Sequence, residues 1–208
     1  MTFKEYYMTS LWLQAHASYI DSNHIIADDQ ITFLGGSLLI DALLLKVPLV
    51  AAADLTDETP LTVKITMAND ASIPQSEDSD IRYGLSDGTN FIGFAMYDLW
   101  NYMHQDVAPC FGVEATSGAS LNNTQALAIN FPRPREKFYP DHFVFTLKLD
   151  KSWGWCFTPH DGGFTKTAEY SKRLKLSQGL SLEVYKDNHH ERVGIKYIKV
   201  TITKTDGL

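Results

Sequence analysis

The chain has 208 residues, of which 44% are hydrophobic and 21% are charged, and its formal net charge is −7. These values are typical of a soluble globular domain. The acidic balance argues against a nucleic-acid partner, because Lys and Arg side chains on phosphates supply most of the affinity for DNA and RNA.

The N-terminal residues, MTFKEYYMTSLWLQ, lack the basic start, apolar middle and small-residue cleavage site of a signal peptide. Only residues 31–53 are apolar enough to raise the question of a membrane span. Asp41 and Lys46 lie inside this stretch, and a Gly-Gly pair and Pro48 interrupt it. We therefore predict buried strands here and no membrane span.

Alternation of apolar and polar residues with a period of two dominates the chain and predicts strands. The first predicted strand covers residues 11–19, with Leu11, Leu13 and Ala15 on one face. Further strands are predicted at 61–67, 81–85, 91–97, 110–115, 126–131, 142–149, 153–157, 180–185 and 192–203. Turn-forming stretches separate them, and no sustained helical stripe is present. The pattern predicts one all-β antiparallel sandwich domain over residues 1–208.

The last part of the chain, GLSLEVYKDNHHERVGIKYIKVTI at 179–202, has the pattern of a closing hairpin. Leu180, Leu182 and Val184 fall on one face of its first strand. The strand pattern resembles that of the concanavalin A-like sandwiches, the architecture of many lectins, carbohydrate-binding modules and glucanases. The resemblance extends over most of the chain without a specific motif, and it implies a jelly-roll β-sandwich.

The stretch SDGTN at 86–90 joins two predicted strands and is the first candidate binding site. Asp87, Thr89 and Asn90 offer short polar groups suited to sugar hydroxyls or to a cation. The alternative is that Asp-Gly simply forms the hairpin turn. Gly84 and Gly93, in the flanking strands, leave space for a ligand or for a neighbouring backbone.

Aromatic residues form the second candidate site. Trp100 and Tyr102 lie in a predicted loop, where a role in the core explains them less well than stacking on a sugar ring. Trp155 belongs to the predicted strand 153–157, whose aromatic face fits either a sandwich core or a stacking platform.

Calcium is the cofactor that the composition brings forward. Asp78 and Asp80 end the acidic loop 69–80, and calcium is held by clustered carboxylate and carbonyl oxygens. The spacing of an EF-hand is absent, so an ordinary solvated acidic loop is the alternative.

The two cysteines bear on the compartment. Cys110 and Cys156 fit either one disulfide, which requires an oxidising compartment, or two buried thiols. A glycosylation triplet at 122–124 adds to the first reading. We predict an extracellular setting, with the cytoplasm as the alternative.

The function predicted from these features is non-catalytic binding of carbohydrate or another small ligand. In this reading Asp87 and Asn90 hydrogen-bond to ligand hydroxyls. One alternative is a glycoside hydrolase in which Glu114 and Glu183 face the same cleft. The other is an extracellular structural or adhesive protein that self-associates into a homo-oligomer.

Overall fold

A computed structural model describes residues 2–18, 24–26, 31–33, 42–69, 81–96, 107–118, 125–132, 142–150, 153–159, 166–186 and 193–205. Within these ranges the chain forms one α-helix, α1 (Ser10–His16), two single turns of 3-10 helix (Ala52–Asp54 and Leu176–Gln178) and a series of strands. The strands are β1 (Thr2–Thr9), β2 (His24–Ile26), β3 (Ile31–Phe33), β4 (Ala42–Val50), β5 (Leu61–Asn69), β6 (Ile81–Ser86), β7 (Asn90–Met96), β8 (Val107–Thr116), β9 (Gln125–Pro132), β10 (His142–Leu149), β11 (Gly154–Pro159), β12 (Lys166–Glu169), β13 (Leu180–Lys186) and β14 (Val193–Lys204).

These strands form two antiparallel sheets. The eight-stranded sheet has the order β12-β11-β10-β5-β14-β3-β2, and β1 also pairs with β14. The six-stranded sheet has the order β4-β13-β6-β7-β8-β9. The predicted all-β antiparallel architecture is confirmed.

The core lies between the two sheets. Alternate residues of β5, β10 and β14 contribute from the eight-stranded sheet, including Val63, Leu147 and Val200. Alternate residues of β13 and β7 contribute from the six-stranded sheet, including Leu182 and Ile92. Period-two burial on one face of each sheet is what the alternating sequence predicts, because successive strand residues point to opposite faces.

The predicted strand at 11–19 is wrong, because residues Ser10–His16 form helix α1. The hydroxyl of Thr9 caps this helix by accepting a hydrogen bond from the Trp12 N–H at 3.3 Å. Ser10 and Leu13 are buried, three residues apart, while Leu11 is exposed. The spacing of three places Ser10 and Leu13 on one helix face, and over seven residues it is hard to tell from strand alternation. In the described part of the chain no helix is long and apolar enough to span a membrane.

The predicted closing hairpin is also wrong. β13 pairs with β4 and β6 in the six-stranded sheet, whereas β14 pairs with β5, β1 and β3 in the other sheet. The two final strands therefore lie in different layers of the sandwich. Both strands were recognised correctly from their alternation, but strand partners are chosen by tertiary packing.

Cys110 and Cys156 also lie in different sheets, on β8 and β11. Their side chains are outside the described residues, so both alternatives, one disulfide or two buried thiols, stay predictions.

Candidate functional site

The hinge between β6 and β7 is built around the carboxylate of Asp87, which is only 6% exposed. Its Oδ1 accepts hydrogen bonds from the backbone N–H groups of Thr89 at 2.8 Å and Asn90 at 2.6 Å. Its Oδ2 accepts one from the N–H of Lys175 at 2.7 Å. Gly88 completes the turn with a φ of 89°, a conformation that glycine adopts without strain. Asp87 therefore shapes the hinge and ties it to a distant segment.

These contacts shift the acidity of Asp87. Burial alone would raise the pKa of this carboxyl, but the hydrogen bonds from Asn90, Lys175 and Thr89 together outweigh it. The pKa of Asp87 is consequently lowered, and the group is ionised in the folded protein at neutral pH.

A second buried carboxylate holds the same distant segment. Glu114, on β8, is 3% exposed and accepts hydrogen bonds from the N–H of Ser171, the hydroxyl of Ser171 at 2.7 Å and the N–H of Lys172 at 3.0 Å. Tyr170 immediately precedes the segment in the chain, and its hydroxyl donates to the carbonyl of Gly93. The segment is thus anchored by two side chains, Asp87 of the hinge and Glu114 of β8, and by the backbone of β7 at Gly93.

Three segments meet at this end of the six-stranded sheet: residues 87–90, 116–118 and 171–175. We call them the hinge rim. The N–H of Ser117 donates to the carbonyl of Thr89 at 2.9 Å, and Lys172 Nζ donates to Asn90 Oδ1 at 3.3 Å. Asn90 Nδ2 in turn lies 3.4 Å from Asp87 Oδ2, so both ends of its amide are oriented. Thr89 is exposed, and Asn90, Ser117 and Lys172 are half-buried.

The paired glycines beside the hinge serve a close backbone approach. Gly84 and Gly93 are directly opposite each other in β6 and β7. A Cβ added to Gly84 would lie 2.2 Å from the carbonyl oxygen of Ile92, and one added to Gly93 would lie 2.5 Å from that of Tyr83. Of the two readings of the sequence, the structure supports the neighbouring backbone.

A cluster of polar side chains lies on the face of the six-stranded sheet that points away from the core. We call it the outer-face cluster: Lys46, Ser86, Ser117, Glu183 and Tyr185. Glu183 is 0% exposed, and its Oε1 accepts from the Ser117 hydroxyl at 2.7 Å and from Lys46 Nζ at 3.1 Å. Its Oε2 accepts from the hydroxyl of Tyr185.

The outer-face cluster connects to the hinge rim through Ser117 and Gly118. The Ser86 hydroxyl donates to the Ser117 hydroxyl at 2.8 Å, and the Gly118 N–H donates to the phenol oxygen of Tyr185 at 2.9 Å. Burial raises the pKa of Tyr185, and the hydrogen bond to Glu183 raises it further. Tyr185 therefore stays protonated and acts as a fixed donor.

The two glutamates of the hydrolase alternative do not face one cleft. Glu114 lies opposite Ile92, a core residue, and so points to the core face of the sheet. Glu183 lies between the core residues Leu182 and Val184 and so points to the opposite face. A pair of carboxylates that flanks a glycosidic bond must share a cleft. This geometry does not bring the two together.

Several predicted site residues lie outside the described part of the chain: Trp100, Tyr102, Asp78 and Asp80. The backbone of Trp155 pairs with Leu147 in β10, but its side chain is not among those described. Within the described ranges, no group of three His, Cys, Asp or Glu side chains is arranged to hold a metal ion. Asp87, the described carboxylate that the sequence also suggested for a cation, has both oxygens occupied by hydrogen bonds from backbone N–H groups.

Lys172, Ser117 and Lys46 were not recognised as site residues from the sequence. Lys46 had a visible signal, being a charge within an apolar strand. Lys172 had none, because its contact with Asn90 joins residues 82 positions apart.

No protein-family model matches the chain, and no curated protein is similar to it at a significant level. Solved structures do match. The CBM2 module of the Lactobacillus casei BL23 phage J-1 evolved Dit is 9% identical, with a TM-score of 0.57 over 100% of both chains. A legume lectin-like domain from Entamoeba histolytica is 7% identical, with a TM-score of 0.54 over 94% of this chain and 93% of the other.

The exoplasmic/lumenal domain of VIP36, solved in a Ca2+/Man3GlcNAc-bound form, is 7% identical and has a TM-score of 0.51 over 97% of this chain and 89% of the other. The chain has the concanavalin A-like β-sandwich fold. At these identities the likeness concerns the fold alone.

Proposed function

We propose that this protein is a non-catalytic, carbohydrate-binding β-sandwich and that its ligand binds at the hinge rim. The observation that carries the proposal is the way the rim is held. Two buried carboxylates, Asp87 and Glu114, accept backbone N–H groups from Thr89, Asn90 and the 171–175 segment.

Such a rim loses little conformational entropy on binding, because its loops are already ordered. Sugar hydroxyls both donate and accept hydrogen bonds, and the rim offers matching groups. These are the hydroxyl of Thr89, the amide of Asn90 and the ammonium of Lys172. Loops on a rigid sandwich are common positions for binding residues.

In this proposal Asp87 positions the rim, and Asn90 contacts the ligand. Trp100, Tyr102 and Trp155 supply stacking surfaces, as aromatic rings do for apolar sugar faces. Asp78 and Asp80 order the neighbouring loop, with calcium as an optional ligand. We place the protein outside the cell.

The fold comparisons support the proposal by analogy. The VIP36 domain is described with a bound oligosaccharide and Ca2+, and a second neighbour is a lectin-like domain. Because one fold hosts many functions, the rim itself has to be tested.

The test is a broad glycan array probed with the wild-type chain, once with calcium and once with chelator. Asn90→Ala should abolish or strongly reduce binding. Thr201→Ala, a half-buried polar residue of β14 in the other sheet, is the matched control and should bind like the wild type. Thermal unfolding of both variants checks that they are folded.

Retention of full binding by Asn90→Ala would remove the rim as the site. Silence of the wild type in both conditions would overturn carbohydrate binding and leave self-association as the reading to pursue. Loss of binding in chelator alone would assign a role to calcium.

A further inference from the structure

We infer that the saccharide bound at the hinge rim carries an acidic group, and that the ammonium of Lys172 pairs with it. This inference rests on the proposed function, since it names the ligand class of the same rim. The acidic group is a carboxylate or a sulfate, which share a negative charge and several acceptor oxygens.

At the rim, the negative charges are buried and the positive charges are closer to solvent. Asp87 of the rim and Glu114, which holds the 171–175 segment, are both buried and accept backbone N–H groups of the rim. Its cations are Lys172, Arg173 and Lys175, of which Lys172 is half-buried and the other two are exposed. A ligand that approaches from solvent therefore meets the cations first.

Lys172 is the cation that the structure holds in place. Its backbone N–H donates to Glu114 at 3.0 Å, and its Nζ donates to Asn90 Oδ1 at 3.3 Å. An ammonium group carries three N–H donors, and the contact with Asn90 uses one. An acidic group on a sugar accepts from the ammonium while a neighbouring hydroxyl of the same sugar bonds to Asn90 or Thr89.

Arg173 has a different task. Its guanidinium lies 5.3 Å from the centre of the Trp153 ring, and Nη1 donates to the carbonyl of Tyr170. These contacts hold the segment against Trp153 and Tyr170, so the guanidinium already has partners within the fold. Lys175 is exposed, and its backbone N–H donates to Asp87. The exposed carboxylate of Asp57 lies near enough to interact with its charge, so Lys175 supplies a weaker second charge than Lys172.

The net charge of −7 does not oppose this assignment. Charges on exposed surfaces are screened over roughly 8 Å at physiological ionic strength. One acidic group in contact with Lys172 therefore responds mainly to the rim. A nucleic acid, with a charge on every phosphate, would instead meet the whole acidic surface.

The experiment measures affinity for two matched pairs of probes by calorimetry. One pair is oligogalacturonate and its methyl ester, and the other is a sulfated galactan oligosaccharide and its desulfated form. The wild type should bind one acidic probe more tightly than its neutral partner, and this preference should shrink as salt rises. The pair that shows the preference identifies the acidic group.

Lys172→Met keeps the apolar stem and the backbone N–H that Glu114 holds, so the variant should fold. We expect its preference for the acidic probe over the neutral partner to fall about fivefold, which corresponds to ~1 kcal/mol. Lys64→Met, an exposed lysine of β5 in the other sheet, is the charge-matched control and should lose nothing.

Equal affinity for acidic and neutral probes, or an unaffected Lys172→Met, would overturn the inference. If neutral glycans bind to the wild type and depend on Asn90, the proposed function survives that failure. If no saccharide binds in any format, the proposed function itself fails, and the inference fails with it.

Discussion

Glu114 and Glu183 lie in the same sheet and are both buried, but they are stabilised by different kinds of partner. Glu114 points to the core face and accepts backbone N–H groups and one hydroxyl from residues 171–172. Glu183 points to the outer face and accepts from side chains, among them the ammonium of Lys46.

The difference shows two uses of a buried charge. Glu114 fastens a loop to the sheet, so its loss should release that loop. Glu183 is buried on the outer face of the sheet and accepts from Lys46, Ser117 and Tyr185. Its loss should leave their donor groups without an acceptor. An isolated buried polar group costs more free energy than a lost hydrogen bond between groups that water can reach.

The largest effect is expected from Glu183→Ala. This change leaves the hydroxyls of Ser117 and Tyr185 without their acceptor, which together costs about 3–4 kcal/mol. The ammonium of Lys46 also loses its partner, but its side chain is 30% exposed and can turn to water. We expect a loss of that size in the free energy of unfolding, measured by urea denaturation. Glu183→Gln keeps the volume and removes the charge. Its free energy of unfolding should fall between those of the wild type and Glu183→Ala.

A loss below about 1 kcal/mol for Glu183→Ala would mean that water or another acceptor takes over the donors. The contrast with Glu114 would then disappear.

Glu114→Ala should have a smaller and more local effect. Ser171 is exposed, so its freed N–H and hydroxyl can bond to water, and we expect a loss of about 2 kcal/mol. Hydrogen exchange should accelerate at the amides of Ser171 and Lys172 while β13 stays protected. Equal acceleration across the six-stranded sheet would contradict the distinction between fastening a loop and completing a sheet.

Asp87→Asn tests a third buried carboxylate through the pH dependence of the stability. The pKa of Asp87 is lowered in the folded state, so its stabilisation is present above the unfolded pKa of about 3.9 and is lost as pH falls through the lower folded value. At pH 7 the variant should be less stable by about 1 kcal/mol, since one acceptor oxygen becomes a donor.

This deficit should shrink as pH falls below about 4, because the wild type then loses the same contribution. Urea unfolding of both proteins at several pH values between neutral and strongly acidic measures it. A constant difference across that range would show that Asp87 does not stabilise the fold through its charge.

The smallest effect is expected from Glu5→Ala on the eight-stranded sheet. Glu5 pairs with Lys199, but their side chains are 50% and 44% exposed, so water screens the interaction. The urea midpoint should stay where it is. A clear destabilisation would mean that exposure is a poor guide to the value of a charge in this protein.

Sequence patterns predicted the strands well where a strand has one buried face. The predicted strand 142–149 coincides with β10, and the strands at 61–67, 81–85 and 180–185 match β5, β6 and β13 within a few residues at each end. The hinge was found by its turn chemistry, and Asp87 and Asn90 do lie together there. The short helix α1 was missed, since its burial pattern is too brief to show a helical period.

The sequence by itself determined most of the strands and the alternation of buried residues along them, because burying alternate residues on one face of a strand is a local requirement. Only the tertiary structure decided which strands are neighbours, which face each glutamate occupies and how Lys172 reaches Asn90. These depend on contacts between residues far apart in the chain. The residues next to a side chain in the sequence do not indicate which distant donor or acceptor will pair with it in the fold.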